Sequence, residues 1–272
     1  MAANVLTVNT NGNVRVRGIA LPNEHGSWGF LFEPIVAAVA VAPSFAAIWI
    51  SLLVIGVFLT RRPLKILLSN RKAKRNSPQN AVAIKFILLY GAITSIGLAG
   101  SLIYAHIETF IPFVIVIPLA IYQIYCDVLG RTRHLIPELT GAVAISSSAA
   151  VIALAGGWNY PAAFALWGIF IARLIPSIVY VRNRLRFEKG KEFSMIPIIV
   201  LHFIALGAIG MLAEIGLSSK LTVAVFVVLL GRAFFGLSPY HHKIKAVKIG
   251  IWEVIYGVLT VLSIIFGHYL EI

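Results

Sequence analysis

The sequence predicts an all-α membrane protein, a bundle of about nine transmembrane helices. Three observations predict it. The 272 residues are 59% hydrophobic and 12% charged, whereas soluble domains run near 45–50% apolar and about 25% charged. Apolar runs of roughly the 20 residues a helix needs to cross a bilayer recur along almost the whole chain. Basic residues are concentrated in alternate connections between those runs, as the positive-inside rule requires.

Taken in order, residues 1–25 read as a polar cytoplasmic tail. Asn4, Asn9, Asn11 and Asn13 leave no apolar core for a secretory signal. Residues 26–272 read as one transmembrane helical domain. Its apolar runs fall at 26–42, 44–60, 80–104, 111–129, 136–155, 161–181, 194–213, 221–237 and 247–268. The first two are separated only by Ala42-Pro43. Together they are too long for one tilted span, so Pro43 reads as a hairpin turn. After the second run, Leu64, Ile66, Leu67 and Leu68 alternate with Arg62, Lys65 and Arg71. This amphipathic pattern predicts a segment lying on the membrane surface. Gly97-x-x-Gly100, Gly207-x-x-Gly210 and the small residues 146–150 permit close helix packing.

The connections set an orientation. With the N-terminus cytoplasmic, all but three of the 23 Lys and Arg residues fall on the inner side. The exceptions are Lys85 and Arg173, within spans, and Lys220, outside. The C-terminus is then external. The net charge of +13 is accounted for by inner loops near an anionic leaflet, with membrane lipids and not nucleic acid as partners. The sequence points to no particular protein partner.

The polar residues within the spans are as one-sided as the loops. Glu33, Asp127, Glu138, Arg173, Arg232 and Glu253 all fall in the cytoplasmic half. An ionisable residue at membrane depth is by default a candidate functional residue. Helical spacing sharpens the pattern. Gln123, Asp127 and Arg131 share a face, and so do Arg173, Ser177, Tyr180 and Arg184. Lys245, Ile249 and Glu253 form a third stripe. The plain structural reading is that these groups pair inside the bundle, for instance Arg173 with Glu253. The functional reading is a polar chamber open to the cytoplasm. Its ligand-binding candidates are Glu33, Arg61, Arg62, Arg131, Arg133, Glu138, Arg173, Tyr180, Arg184, Arg232 and Glu253. Arginine binds phosphate and carboxylate through paired donors, so the expected ligand is an anionic amphipathic molecule, a lipid or isoprenoid type. Glu24, His25 and Asp127 are the acid-base candidates. No metal and no cofactor are expected. Asp127 is the one aspartate, Cys126 the one cysteine, and His241-His242 lacks a partnering acid or thiol.

Pro22-Asn-Glu-His-Gly-Ser-Trp-Gly resembles the signature of the YwiC-like family of bacterial integral membrane proteins. Arg61-Arg62-Pro63, the stretch from Asp127 to Arg133 leading into Pro137-Glu138-Leu139-Thr140-Gly141, and the arginine-rich end of the sixth run resemble it too. The resemblance implies a multi-pass protein of the cell membrane, here the bacterial inner membrane, and fixes no activity. More distantly, the layout resembles the UbiA-like intramembrane prenyltransferases. Those enzymes hold magnesium diphosphate on aspartate-rich loops, where this chain has Arg61-Arg62-Pro63 and Tyr180-Val181-Arg182-Asn183-Arg184. An enzyme built here would be a transferase-like one without those magnesium motifs. Transport of a small anion or proton-coupled solute is the alternative, and a non-catalytic membrane factor assisting another complex the third.

Overall fold

The structure is a computed structural model that describes residues 16–22, 25–75, 77–131, 134–238, 240 and 242–271. The candidates Glu24 and Arg133 lie outside the described residues, and so does the side chain of His25.

The described chain is helical. A short α1 (Val16–Ala20) precedes α2 (His25–Val41), α3 (Phe45–Lys72), α4 (Gln79–Tyr104) and α5 (Ile111–Val128). Then follow α6 (Leu135–Ser146), α7 (Ser148–Ala155), α8 (Tyr160–Phe187), α9 (Ile196–Glu214), α10 (Lys220–Leu237) and α11 (Ala246–Leu270). A 3-10 turn, Ile107–Phe110, leads into α5. Among the described residues, eight segments are long and apolar enough to cross a membrane, with α6 and α7 counting as one and the 3-10 turn counting with α5. The shorter apolar helix is Gly26–Val41 within α2. The protein is a multi-pass membrane protein.

Local chemistry explains several boundaries. Ser44, Asn159 and Ser219 are extended N-cap residues whose side-chain oxygens accept from the backbone N–H three residues on. The turn at Ala42-Pro43 is therefore a real break, with Ser44 restarting the helix. Gly130, Gly157, Gly190 and Gly216 take positive φ where helices end, as C-terminal caps require.

Two elements differ from the sequence expectation. The amphipathic stretch after residue 60 does not form a separate surface segment. It continues α3 without interruption to Lys72, because its apolar side finds protein. Leu67 packs with Ile19 of α1 and Ala83 of α4 in a small cluster. Arg62 Nε donates to the Gly18 carbonyl at 2.8 Å, and the Tyr90 hydroxyl donates to the Ala20 carbonyl at 3.1 Å. The run 136–155, expected as one helix, is one span, Leu135–Ala155, but its helical hydrogen bonding is interrupted at Ser147, whose backbone stays right-handed helical. Ser146, Ser147 and Ser148 are all fully buried. The Ser146 and Ser147 hydroxyls donate to the carbonyls of Val143 and Ala144, which competes with regular helix bonding at that point.

α3 packs on both α2 and α4, each helix from α5 to α11 packs on the next, and α11 returns to pack on α2. The core lies where α2, α7 and α8 meet, around Leu31, Ala37, Ala38, Val151, Ile152, Phe170 and Leu174. The outward residues of α4, such as Leu88, Leu89, Ile96 and Ile103, are exposed and apolar. These are lipid-facing surfaces, since a membrane helix gains nothing by hiding them.

Candidate functional site

The deepest polar feature joins five helices. Arg173 of α8 is almost completely buried. Its Nε lies 3.1 Å from Glu33 Oε2 of α2, and its Nη2 donates to Glu33 Oε1 at 3.4 Å. Nη2 also donates to the Glu253 carbonyl of α11 at 2.9 Å, and Nη1 is 3.8 Å from Glu253 Oε2. The other Glu253 oxygen, Oε1, accepts from Arg232 Nη1 of α10 at 2.5 Å. The charges thus alternate along one chain, Glu33, Arg173, Glu253, Arg232, and they cancel. That balance is what lets four ionisable groups sit at membrane depth, where a lone charge would be costly.

Arg232 continues the chain into α8 and α9. Its Nη2 donates to Ser177 Oγ at 3.3 Å and lies 3.5 Å from His202 Nε2. His202 Nδ1 is 2.8 Å from the Ile198 carbonyl. A carbonyl can only accept, so Nδ1 carries the proton and Nε2 of the neutral ring is the acceptor toward Arg232. The guanidinium also sits between two aromatic faces, 4.3 Å from the Tyr180 ring centroid and 4.9 Å from that of Tyr256, within cation–π range. Two glycines shape this region. A Cβ on Gly257 would collide with the Glu33 carboxylate, and one on Gly236 with the Tyr180 hydroxyl.

Beside the network is a cavity of about 380 Å³ between α8, α10 and α11. Its walls combine Tyr180, Trp252 and Tyr256 with Arg184, Arg232 and Glu253. Arg184 ties down the connection between α10 and α11. It donates to the Gly236 carbonyl through Nη1 and to the His242 carbonyl through Nη2 at 2.9 Å. It also pairs with Glu188 at 2.6 Å, one turn along α8.

The remaining candidates form separate contacts. Asp127, itself buried, accepts from Arg61 Nε at 2.7 Å and Nη2 at 3.2 Å. The Gln123 amide oxygen, oriented to suit its neighbours, accepts from Arg61 Nη1 and Nη2 at 3.1 Å. This pair ties α3 to α5. Glu138 accepts from Arg182 at 2.7 Å across α6 and α8, half-exposed. Arg62 clamps α1, as described above, and Arg131 is exposed just beyond α5. Among the described residues, no three of His, Cys, Asp and Glu come together in a way that could hold a metal ion.

The structure therefore brings Glu33, Arg173, Arg232, Glu253 and Tyr180 together, with Arg184 alongside. It places Arg61 with Asp127, and Glu138 with Arg182. Sequence reasoning passed over His202, Tyr256 and Trp252 as members of the site. His202 carried a signal, since it is a polar residue in an otherwise apolar run. Tyr256 follows Glu253 by three residues and so shares its face.

Comparison with known proteins adds a family. No curated protein and no solved structure matches the chain, and the likeness in layout to the UbiA-like prenyltransferases finds no support there. The YwiC-like protein family matches residues 21–153. The match includes Glu33, Arg61, Asp127 and Glu138, while Arg173, Arg232 and Glu253 lie beyond it. The chain is thus similar to the YwiC-like protein family over just under half of its length.

Proposed function

We propose that this protein binds the anionic head group of an amphipathic membrane molecule, a lipid or isoprenoid type, at the basic end of its helix bundle. In this reading α2 also crosses the bilayer, making nine spans with the N-terminus and the basic end cytoplasmic. The observation that carries the proposal is the cavity of about 380 Å³ beside the buried charge network. Its size falls within the roughly 300–1,000 Å³ of small-molecule sites, and its aromatic walls with a few polar groups match their usual chemistry. The balanced network behind it supports a binding role, because it holds Arg232 and Glu253 in fixed positions at the cavity wall.

The test is mass spectrometry of molecules that co-purify with the protein. A single anionic amphiphile should be retained, and Tyr240→Ala or Trp252→Ala should release it while leaving the melting temperature nearly unchanged. Retention of only bulk membrane lipids in their membrane proportions, unchanged in both variants, would overturn the reading.

Transport is a second reading, and one observation favours it. The span Leu135–Ala155 is interrupted in its hydrogen bonding at the buried Ser147, though the backbone there stays right-handed helical, and irregular spans line the substrate sites of many transporters. Flux of a small anion or of protons into proteoliposomes, abolished by Glu253→Gln, would support it. Sealed vesicles without such flux would exclude it.

A further inference from the structure

The cavity is closed on one side and open on the other. Tyr180, Arg184 and Ile249 on its inner wall are buried. On the opposite side Phe235, Tyr240 and Trp252 are 77%, 91% and 50% exposed. Phe235 and Trp252 adjoin Phe234 on α10 and Ile251 and Ile255 on α11, which are exposed and apolar. In spanning helices such residues face lipid. The opening thus lies sideways, between α10 and α11, and not only toward water. Its aromatic rim has the composition of the belt that marks a membrane–water boundary.

Charge and hydrogen bonding add two further observations. Lys243, Lys245 and Lys248 are exposed at the rim, interleaved with the lining residues His242 and Ile244. Inside, Arg173 and Arg232 are balanced by Glu33 and Glu253, and Arg184 by Glu188, so the rim lysines carry the local positive excess. Arg232 meanwhile lines the cavity with a side chain only 5% exposed. Its Nε is buried without an acceptor among the described residues, a donor that a native structure normally pairs.

We infer that the cavity takes a phosphate-type anion borne on a lipid, and that this lipid enters sideways from the membrane between α10 and α11. The inference rests on the binding function proposed above and names the source of its ligand. The head group passes the aromatic rim beneath the lysines and reaches Arg232. The chains stay outside in the bilayer, because a cavity of about 380 Å³ is near the lower end of ligand-site volumes. A free anion would feel the same lysines, but the lipid-facing, aromatic side opening is of use only to a molecule that arrives through the membrane.

The experiment uses the full chain in nanodiscs of phosphatidylcholine with a minority of phosphatidylglycerol, with retained lipids counted by native mass spectrometry. Phosphatidylglycerol should be enriched over its bulk share. Ile249→Trp, which fills the cavity, and Trp252→Ala, which alters the exposed rim, should each cut that enrichment by about tenfold or more, a loss of about 1.4 kcal/mol in binding. Melting temperatures identify any variant that fails to fold, and Trp252→Ala, at an exposed position, keeps the test valid if Ile249→Trp does so. Millimolar inorganic phosphate or glycerol phosphate should not displace the lipid. If either soluble anion displaces it, or binds as well to lipid-free protein in detergent, the ligand comes from water; lateral entry then fails while the binding function stands. If phosphatidylglycerol is not enriched and neither soluble anion binds, both fail.

Discussion

Glu33 and Glu253 each neutralise a buried arginine side chain, so removing either carboxylate leaves a net positive charge within the spans. Breaking a buried pair from one side typically costs about 3–5 kcal/mol. Glu33→Gln is therefore expected to lower thermal stability sharply, and Glu33→Gln with Arg173→Gln should cost clearly less than the two single changes summed. Thermal or denaturant unfolding of the four proteins in one detergent measures it. Additive losses would mean that the two groups are not coupled. Gly257 gives an independent check. Its Cβ would strike the Glu33 carboxylate, so Gly257→Ala should mimic the loss of the pair. Gly250→Ala, where a Cβ meets nothing within 4 Å, should stay within about 0.5 kcal/mol of the parent. At this scale the sequence was informative about which residues matter and where along the spans they fall. Membrane depth makes each ionisable residue conspicuous, and helical spacing aligned Arg173 with Ser177 and Tyr180. Partners were less legible. Nothing in the spacing says that Glu33 meets Arg173 140 positions later, or that Glu138 pairs with Arg182, because those contacts depend on which helices become neighbours.

At the scale of elements, the runs of apolar residues located the helices well, since bilayer thickness dictates their length. What they could not show was where a helix goes after it leaves the membrane. α3 has 28 residues, about 42 Å at 1.5 Å per residue, against a hydrocarbon core of about 30 Å. Its amphipathic end has the same pattern whether its apolar side meets lipid or protein. Here it meets α1 and α4, with Ile19 completely buried. This docking predicts that Ile19→Asp will detach α1. Trypsin should then cut after the exposed Arg17 several times faster than in the parent. Tyr90→Phe, which removes one hydrogen bond worth about 1 kcal/mol, should give a smaller increase. Equal cleavage rates in all three proteins would show that α1 is not held against α3 and α4. The interruption at Ser147 was hidden for a related reason. Three successive serines in an apolar run are compatible with a continuous helix, and their hydroxyls choose backbone carbonyls only in the packed state.

For the whole molecule the decisive quantity is the number of crossings, and α2 decides it. Among the described residues, eight segments are long enough to span. An eight-span protein would place both ends on the same side, and a ninth span separates them. α2 has 17 residues, about 25 Å of helix, slightly short of the core thickness. It is nonetheless packed at the centre, with Leu31, Ala37 and Ala38 fully buried against neighbouring helices. Glu33, at the middle of α2, reaches Arg173, at the middle of α8. Glu253, in the first half of α11, reaches the same arginine. The start of α2 therefore lies toward the end of the bundle where α11 begins. At its other end the Tyr269 hydroxyl of α11 donates to the Ala40 carbonyl at 2.7 Å. α2 and α11 thus run side by side over most of their length, and a helix matched to a full span in this way is expected to cross with it. The basic loops agree, since α2 as a span puts all but three of the 23 basic residues on the inner side. Cysteine labelling in intact cells and inverted vesicles measures this, with Cys126→Ser as the background. Arg71→Cys and Lys189→Cys should react only from the cytoplasmic face and Glu271→Cys only from outside. Reaction of Glu271→Cys from the cytoplasmic face would leave an even number of crossings, and α2 would then be a helix packed in the bundle without traversing the membrane.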